Sequence, residues 1–272
     1  MLPSTHYQHS GKAPLGGILM TLVGGGIAGV LLGALYGVLI YYIPFVYINA
    51  IITFVFGGAL AYGVGTCAKL GKIRNAGVVT VLGLLVAVAA YYMHWVVWVE
   101  RMSGTQLVDP GQIWAFASTL NALGPWSIFG WTPTGFALWA IWGVEALIIV
   151  GMSALGAHGI VDIPFCETTG QWTKETVVPR HFQPIGDAQS LESPQSVLHS
   201  LQPADETASE YTEVAVATAD GSELRCVSLN QVSVEVDKDG KEEAKKTELV
   251  RYMLLDRSSF DQLMRLGEPA SA

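Results

Sequence analysis

Four stretches of the chain carry almost no polar side chains, at about residues 16–42, 46–68, 76–99 and 134–157. Each is long enough to cross a bilayer, which takes about 20 apolar residues in helical form. The first is the most ordered. Gly17, Thr21, Gly25, Gly29, Gly33 and Gly37 recur at every fourth position, so they fall on one helical stripe. A smooth stripe of small residues lets another backbone approach closely, the usual way helices associate in lipid. The second stretch carries a shorter stripe, Gly57, Ala61 and Gly65. The two runs are separated by a few residues around Pro44 and are predicted to form an antiparallel hairpin, which makes the second stripe the natural partner of the first.

Between the third and fourth stretches, Ile113, Trp114, Phe116, Ala117, Leu120 and Leu123 repeat at helical spacing. They follow an Asp109-Pro110 start and precede Gly124-Pro125, so the pattern predicts a short helix lying on the outer membrane surface. A re-entrant helix is the alternative. After the fourth span comes a juxtamembrane segment, 158–182. Residues 183–210 are rich in Ser, Gln, Pro and acidic side chains without apolar periodicity, and read as a flexible linker. The period then changes to two. Tyr211–Ala217, Glu223–Val236 and Thr247–Leu255 alternate as strands, with turns at Asp220-Gly221 and Asp239-Gly240. A helix capped by Ser258 runs to about Leu266. The predicted fold is thus mainly α and integral to the membrane: a cytosolic tail (1–15), a four-helix transmembrane bundle (16–157) with an outer interfacial helix, and a small cytosolic α+β domain (211–272) built as a β-meander plus one helix.

Charge supplies the orientation. Of the chain's residues 51% are hydrophobic and 14% charged, and the charges are unevenly placed. Residues 1–157 hold Lys12, Lys69, Lys72, Arg74 and Arg101 against Glu100, Asp109 and Glu145, while the remainder is strongly acidic. The Lys69–Arg74 cluster between spans two and three marks the cytoplasmic side. Four spans then place both termini in the cytoplasm of a plasma (inner) membrane protein. Tyr91, Tyr92, Trp95 and Trp98, with Trp131, Trp139 and Trp142, gather toward the opposite interface as an aromatic belt. The first apolar run is too long for a cleavable signal peptide. An acidic soluble part argues against nucleic acid as a partner. The partners to expect are the lipid bilayer and a protein, either a second copy or another subunit.

Several motifs carry less than their letters suggest. Gly24-Gly25-Gly26-Ile27-Ala28-Gly29 spells a dinucleotide-binding fingerprint, but no strand precedes it and it lies inside an uncharged span. Tyr62-Gly63-Val64-Gly65 looks like a potassium-filter loop without a pore helix before it. Cys166-x-x-Thr169-Gly170 has the outline of one zinc-ribbon knuckle with threonine in place of the second thiolate. Zinc would need Cys226 and two of His158, His181 and His199 as well. A turn held by Phe165 and Trp172 accounts for that outline with no metal. Three distant cysteines, Cys67, Cys166 and Cys226, do not make a disulfide framework.

Glu145 is the one charge inside a predicted span. An unpaired carboxylate there is expensive, so it must face the bundle, hold a proton, or hold a partner. The expected hydrogen-bond donors are Trp indoles, the Tyr91 or Tyr92 hydroxyl, or the surface helix. His94 is complementary by type, but with span three ending at 99 it lies ~10 Å from the depth of Glu145 at 1.5 Å rise per residue. With no nucleophile–base set, phosphate loop or paired carboxylates, the reading leans away from an enzyme, and no cofactor is expected. The leading function is an assembly or scaffold subunit of a membrane complex, its cytosolic domain recruiting a partner. A small transporter or channel using Glu145 is the alternative, and an intramembrane lipid-processing enzyme the third.

Overall fold

The computed structural model describes residues 5–43, 45–186, 191–205, 208–236 and 242–268. They form two units. One is helical, Ser10–Asp162, and the other joins the N-terminal residues through His9 to the chain from Ile163 onward.

Four helices of the first unit are long and apolar enough to cross a membrane: α1 (Leu15–Tyr42), α2 (Val46–Leu70), α3 (Ala76–Ser103) and α5 (Gly135–Val161). The shorter α4 (Pro110–Leu123) precedes α5. Side-chain caps set the starts of α3 and α4. Asn75 Oδ1 accepts from the Val78 N–H at 3.0 Å, and Asp109 Oδ1 accepts from the Gln112 N–H at 3.0 Å. The pattern in the sequence ends span three at 99, but α3 continues through Glu100 and Arg101 to Gly104, which takes φ +71° at the C-cap. Both charged residues are good helix formers, and Arg101 in the last turn complements the helix dipole. Only a glycine able to enter the left-handed region stops the helix.

The six-residue stripe of α1 is used inside the unit, and mainly against α3 rather than the hairpin neighbour α2. Gly33 lies on the backbone of Ala90, so close that an added Cβ would fall 2.9 Å from its carbonyl carbon. At Gly37 a Cβ would sit 2.8 Å from the His94 carbonyl oxygen, and at Gly29 2.8 Å from Val86. Gly25 meets both Val64 and Val86, and Gly17 rests on the backbone of Gly71. Thr21 is fully buried and its hydroxyl donates to the Gly17 carbonyl at 2.8 Å, where α1 widens into a π turn over Thr21–Gly25. The stripe of α2 packs against α5: Gly57 on Ile149 and Met152, Ala61 beside Gly156, and Gly65 on Ile160. Gly83 closes the α3–α5 pair, its carbonyl accepting from Ser153 Oγ at 3.2 Å. Close contacts of this kind are what small-residue stripes provide between apolar helices. On α4, Ile113 and Ala117 are buried against Val96, Val99, Leu138 and Trp142.

In the second unit, β1 (Phe165–Cys166) and β2 (Gln171–Trp172) make a small hairpin. An antiparallel sheet follows in the order β3 (Lys174–Val177), β4 (Glu210–Thr218), β5 (Arg225–Val236), β6 (Glu242–Leu254). Alternating residues such as Val214, Val216, Val227 and Leu229 turn one face into a core with Phe182, Met253 and Leu263. The last helix, α7 (Arg257–Leu266), is capped by Asp256, whose Oδ1 accepts from the Ser259 N–H at 2.7 Å; Ser258 only donates to that carboxylate. The predicted Asp239-Gly240 turn lies outside the described residues.

Two stretches differ from the reading as tail and linker. Thr5 and Tyr7 pair with β6, through Tyr7 N–H to the Tyr252 carbonyl at 2.9 Å and Leu254 N–H to the Thr5 carbonyl at 2.8 Å. Within 183–210, α6 (Pro194–Ser200) opens on a Ser193/Ser196 capping box and buries Val197 and Leu198, with Leu191 and Leu201 beside them. A helix of two turns offers only one apolar pair, too few to register as periodicity against its Ser and Gln neighbours.

Candidate functional site

The polar centre of the helical unit starts from Tyr36. It follows Gly33 by three positions and Gly29 by seven, so it shares the buried face of the stripe and is only 2% exposed. Its ring stacks on Phe56 with centroids 4.5 Å apart and lies 4.8 Å from the His94 ring. Its hydroxyl oxygen is 2.7 Å from Glu145 Oε1 and 2.7 Å from Thr53 Oγ1. Thr53 in turn donates to the Asn49 carbonyl at 2.8 Å. Glu145, Tyr36, Thr53 and the Asn49 backbone therefore form one chain of three hydrogen bonds across α5, α1 and α2.

The protons in that chain can be counted. Three bonds need three hydrogens, and each hydroxyl supplies one. With Glu145 ionised, Tyr36 donates to it and Thr53 has one hydrogen for two acceptors, so one bond goes unmade. With a proton on Glu145, the carboxyl donates to Tyr36, Tyr36 to Thr53 and Thr53 to the Asn49 carbonyl. The array thus has a complete form and an incomplete one, separated by a single proton.

Beside it lies a cavity of about 180 Å³. Glu145, His94 and Asn49 line it, and so do the indoles of Trp95, Trp98 and Trp142. Pro125 and Trp126, from the loop between α4 and α5, line it too, together with Tyr41 at the end of α1. The cavity thus reaches from the loop end of the bundle to the carboxyl group. The three indoles meet edge-on: Trp95 and Trp98 at 5.4 Å and 88°, Trp95 and Trp142 at 5.1 Å and 87°, Trp98 and Trp142 at 6.4 Å and 73°. Two buried polar atoms of lining residues, Asn49 Oδ1 and His94 Nδ1, have no hydrogen-bond partner among the described residues, and neither presents surface to the cavity. His94 is 3% exposed. Unsatisfied groups of this kind are rare and costly in folded proteins. No Lys or Arg is among the lining residues.

The structure brings Glu145 and His94 to one cavity, contrary to the ~10 Å depth difference expected from the sequence. The longer α3 is the reason. His94 lies about 14 Å from the end of α3 and Glu145 about 15 Å from the start of α5, measured along each helix. Of the donors expected for Glu145, the two tyrosines bond elsewhere, the Tyr91 hydroxyl to the Trp142 carbonyl at 3.3 Å and the Tyr92 hydroxyl to the Val108 carbonyl at 2.6 Å. Tyr36, Thr53 and Asn49 were the residues missed. A signal for them exists, since Asn49 and Thr53 continue the Gly57, Ala61, Gly65 stripe backward at the same spacing of four.

Other motifs resolve more simply. Residues 24–29 and 62–65 lie within helices α1 and α2. At the knuckle-like turn, the Gly170 N–H donates to the Cys166 carbonyl at 2.8 Å, and Phe165 and Trp172 pack edge-on at 4.9 Å. Among the described residues no three His, Cys, Asp or Glu side chains come together as a metal set. Burial raises the Cys166 thiol, but hydrogen bonds outweigh it and bring the group down to about 6. They come chiefly from Ser222 Oγ, 2.9 Å from the sulfur, and from Thr168 Oγ1 at 3.0 Å. Cys226, buried without such donors, is pushed up to about 12. Cys166 is 5% exposed and Cys226 not at all, so iodoacetamide is expected to alkylate Cys166 slowly, with a half-maximal rate near pH 6, and Cys226 hardly at all. Ser222→Ala should move that midpoint upward, as followed by peptide mass spectrometry across a pH series. An unshifted midpoint would remove the hydroxyl from the account.

Compared with family models, with curated proteins and with solved structures, the chain matches none.

Proposed function

We propose that this chain is a multi-pass membrane protein that binds a small solute in the cavity at Glu145, exchanging it against a proton on that carboxyl group. The alternative drawn from the sequence, a small transporter or channel, becomes the leading reading. One observation carries it: an intramembrane carboxyl group that ends a proton-dependent hydrogen-bond chain also lines a cavity, together with the polar residues Asn49 and His94. A carboxylate kept only for packing has no need of a cavity, and ionisable groups within spans commonly mark solute or proton routes. The charge bias of Lys69, Lys72 and Arg74 supports a cytoplasmic location for the opposite end of the bundle, so the cavity would face the outside of a plasma membrane.

The scaffold reading now rests on the second unit, because the small-residue stripes are occupied inside the bundle. β6 is the outer strand of the four-stranded order, and Thr5 and Tyr7 pair with it. Residues 5–7 occupy the Tyr252–Leu254 end of that edge, and strand addition along the rest of β6 would suit a protein partner or a second copy.

Accessibility tests the proposal. In Glu145→Cys, a charged, membrane-impermeant thiol reagent applied to intact cells is expected to label position 145, assigned by peptide mass spectrometry. Leu147→Cys, at a position 74% exposed on the outer surface of the helical unit, should stay unlabelled in lipid. Labelling of Glu145→Cys only from the cytoplasmic face would reverse the orientation. No labelling from either face would end the solute-binding reading.

A further inference from the structure

Resting on that reading, the cavity's walls specify the solute further, and we infer that it takes a small organic ammonium ion. The argument starts from charge. Glu145 is the acidic group on the lining and no Lys or Arg accompanies it, so an ionised Glu145 leaves the cavity with an uncompensated negative charge that favours a cation. The rest of the wall separates kinds of cation. A hard metal ion needs about six oxygen ligands to replace its water. Glu145 and the Asn49 amide oxygen fall far short of that, and three indoles contribute no oxygen at all.

Indoles do suit an alkylated ammonium. The face of a tryptophan ring attracts a cation electrostatically, and the attraction is strongest where water is excluded. Trp95, Trp98 and Trp142 stand pairwise between 73° and 88° to one another, with centroids between 5.1 and 6.4 Å apart. Rings set at such angles form a corner rather than a stack, so an ion beside one can also reach another. Trp139 extends the cluster on the far side, edge-on to Trp142 at 5.2 Å, and holds that indole in orientation. Asn49 and His94 add two polar side chains to a wall that is otherwise largely aromatic and aliphatic. Size sets the upper limit. About 180 Å³ is well below the ~300 Å³ at which drug-sized pockets begin, so the ion is of the dimensions of a methylated or hydroxyethylated ammonium.

The test uses the full chain purified in mild detergent, with choline and tetramethylammonium as probes and calorimetry as the readout. Tryptophan fluorescence serves as a second readout. Both probes are expected to bind. 3,3-Dimethylbutan-1-ol, the uncharged carbon analogue of choline, should bind at least 30-fold more weakly. Glu145→Gln should abolish detectable binding of both cations, and Trp98→Leu should weaken it about 30-fold. Trp98→Phe, which keeps a ring, should recover most of the loss and guards against a folding defect. Equal binding of the neutral analogue would overturn the ammonium assignment while leaving the solute cavity intact. Displacement of choline by millimolar sodium or potassium would likewise replace the organic ion by an inorganic one. If no cation binds and position 145 still takes the charged thiol reagent, the ammonium assignment alone has failed. If no cation binds and position 145 is also inaccessible, the solute-binding reading has failed with it.

Discussion

Gly33→Leu is expected to prevent the helical unit from assembling, and even Gly33→Ala should lower its thermal stability in detergent markedly. A Cβ at position 33 would fall 2.9 Å from the Ala90 carbonyl carbon and 3.1 Å from its Cα, closer still to the carbonyl oxygen. These are backbone atoms of α3, which cannot swing aside as a side-chain tip would. Relief has to come from moving one helix away from the other, and that forfeits the dispersion contacts along the whole α1–α3 seam. Overpacking by one methyl group typically costs about 1–3 kcal/mol, and a leucine more. Gly26→Ala is the control. A Cβ at position 26 would meet nothing within 4 Å, and alanine there gains about 1 kcal/mol of helix propensity over glycine. The two alanine variants should therefore shift the melting temperature in opposite directions, in a thermal shift assay on the purified protein. Equal shifts would mean that the stripe is not a packing face.

The stripe also shows how much of this fold the sequence discloses. Small residues every fourth position declare that α1 packs closely, but not against which helix. Chain proximity favours α2, whereas the contacts lie mainly on α3, where the small Ala90 and the backbone at His94 and Trp98 admit the stripe. Long spans were legible because a bilayer demands a sustained apolar run. Helix α6 and the pairing of Thr5 and Tyr7 were not, since each buries only a few residues and leaves no periodic trace. The site was half legible. Glu145 stands out as a charge in a span, while Tyr36, Thr53 and Asn49 are ordinary membrane-helix residues until the packing of the two stripes sets them beside it. Even the depth of His94 depended on one detail, the continuation of α3 through Glu100 and Arg101 to Gly104.

Glu145→Leu is expected to destabilise the helical unit, whereas Glu145→Gln should leave it close to wild type. The difference follows from the proton count. A glutamine at 145 has an amide N–H that donates to the Tyr36 oxygen, so Tyr36 is free to donate to Thr53 and Thr53 to the Asn49 carbonyl, 2.7 and 2.8 Å away. All three bonds are then made, as they are with a protonated acid. With a leucine the Tyr36 hydroxyl still donates to Thr53 and Thr53 to the Asn49 carbonyl, but the bond across to α5 is lost, and the oxygen of Tyr36, a residue only 2% exposed, accepts nothing in its place. Losing one such hydrogen bond costs about 0.5–1.5 kcal/mol net. Tyr36→Phe alone loses the bonds to both Glu145 and Thr53, whereas in the leucine background only the Thr53 bond is left to lose, so the double variant should be more stable than the sum of the two single changes. Melting temperatures of the wild type, the three single variants and the double variant in one detergent decide the matter. If Gln and Leu destabilise equally, the hydrogen-bond chain from Glu145 to Asn49 is not what holds the carboxyl group in the bundle.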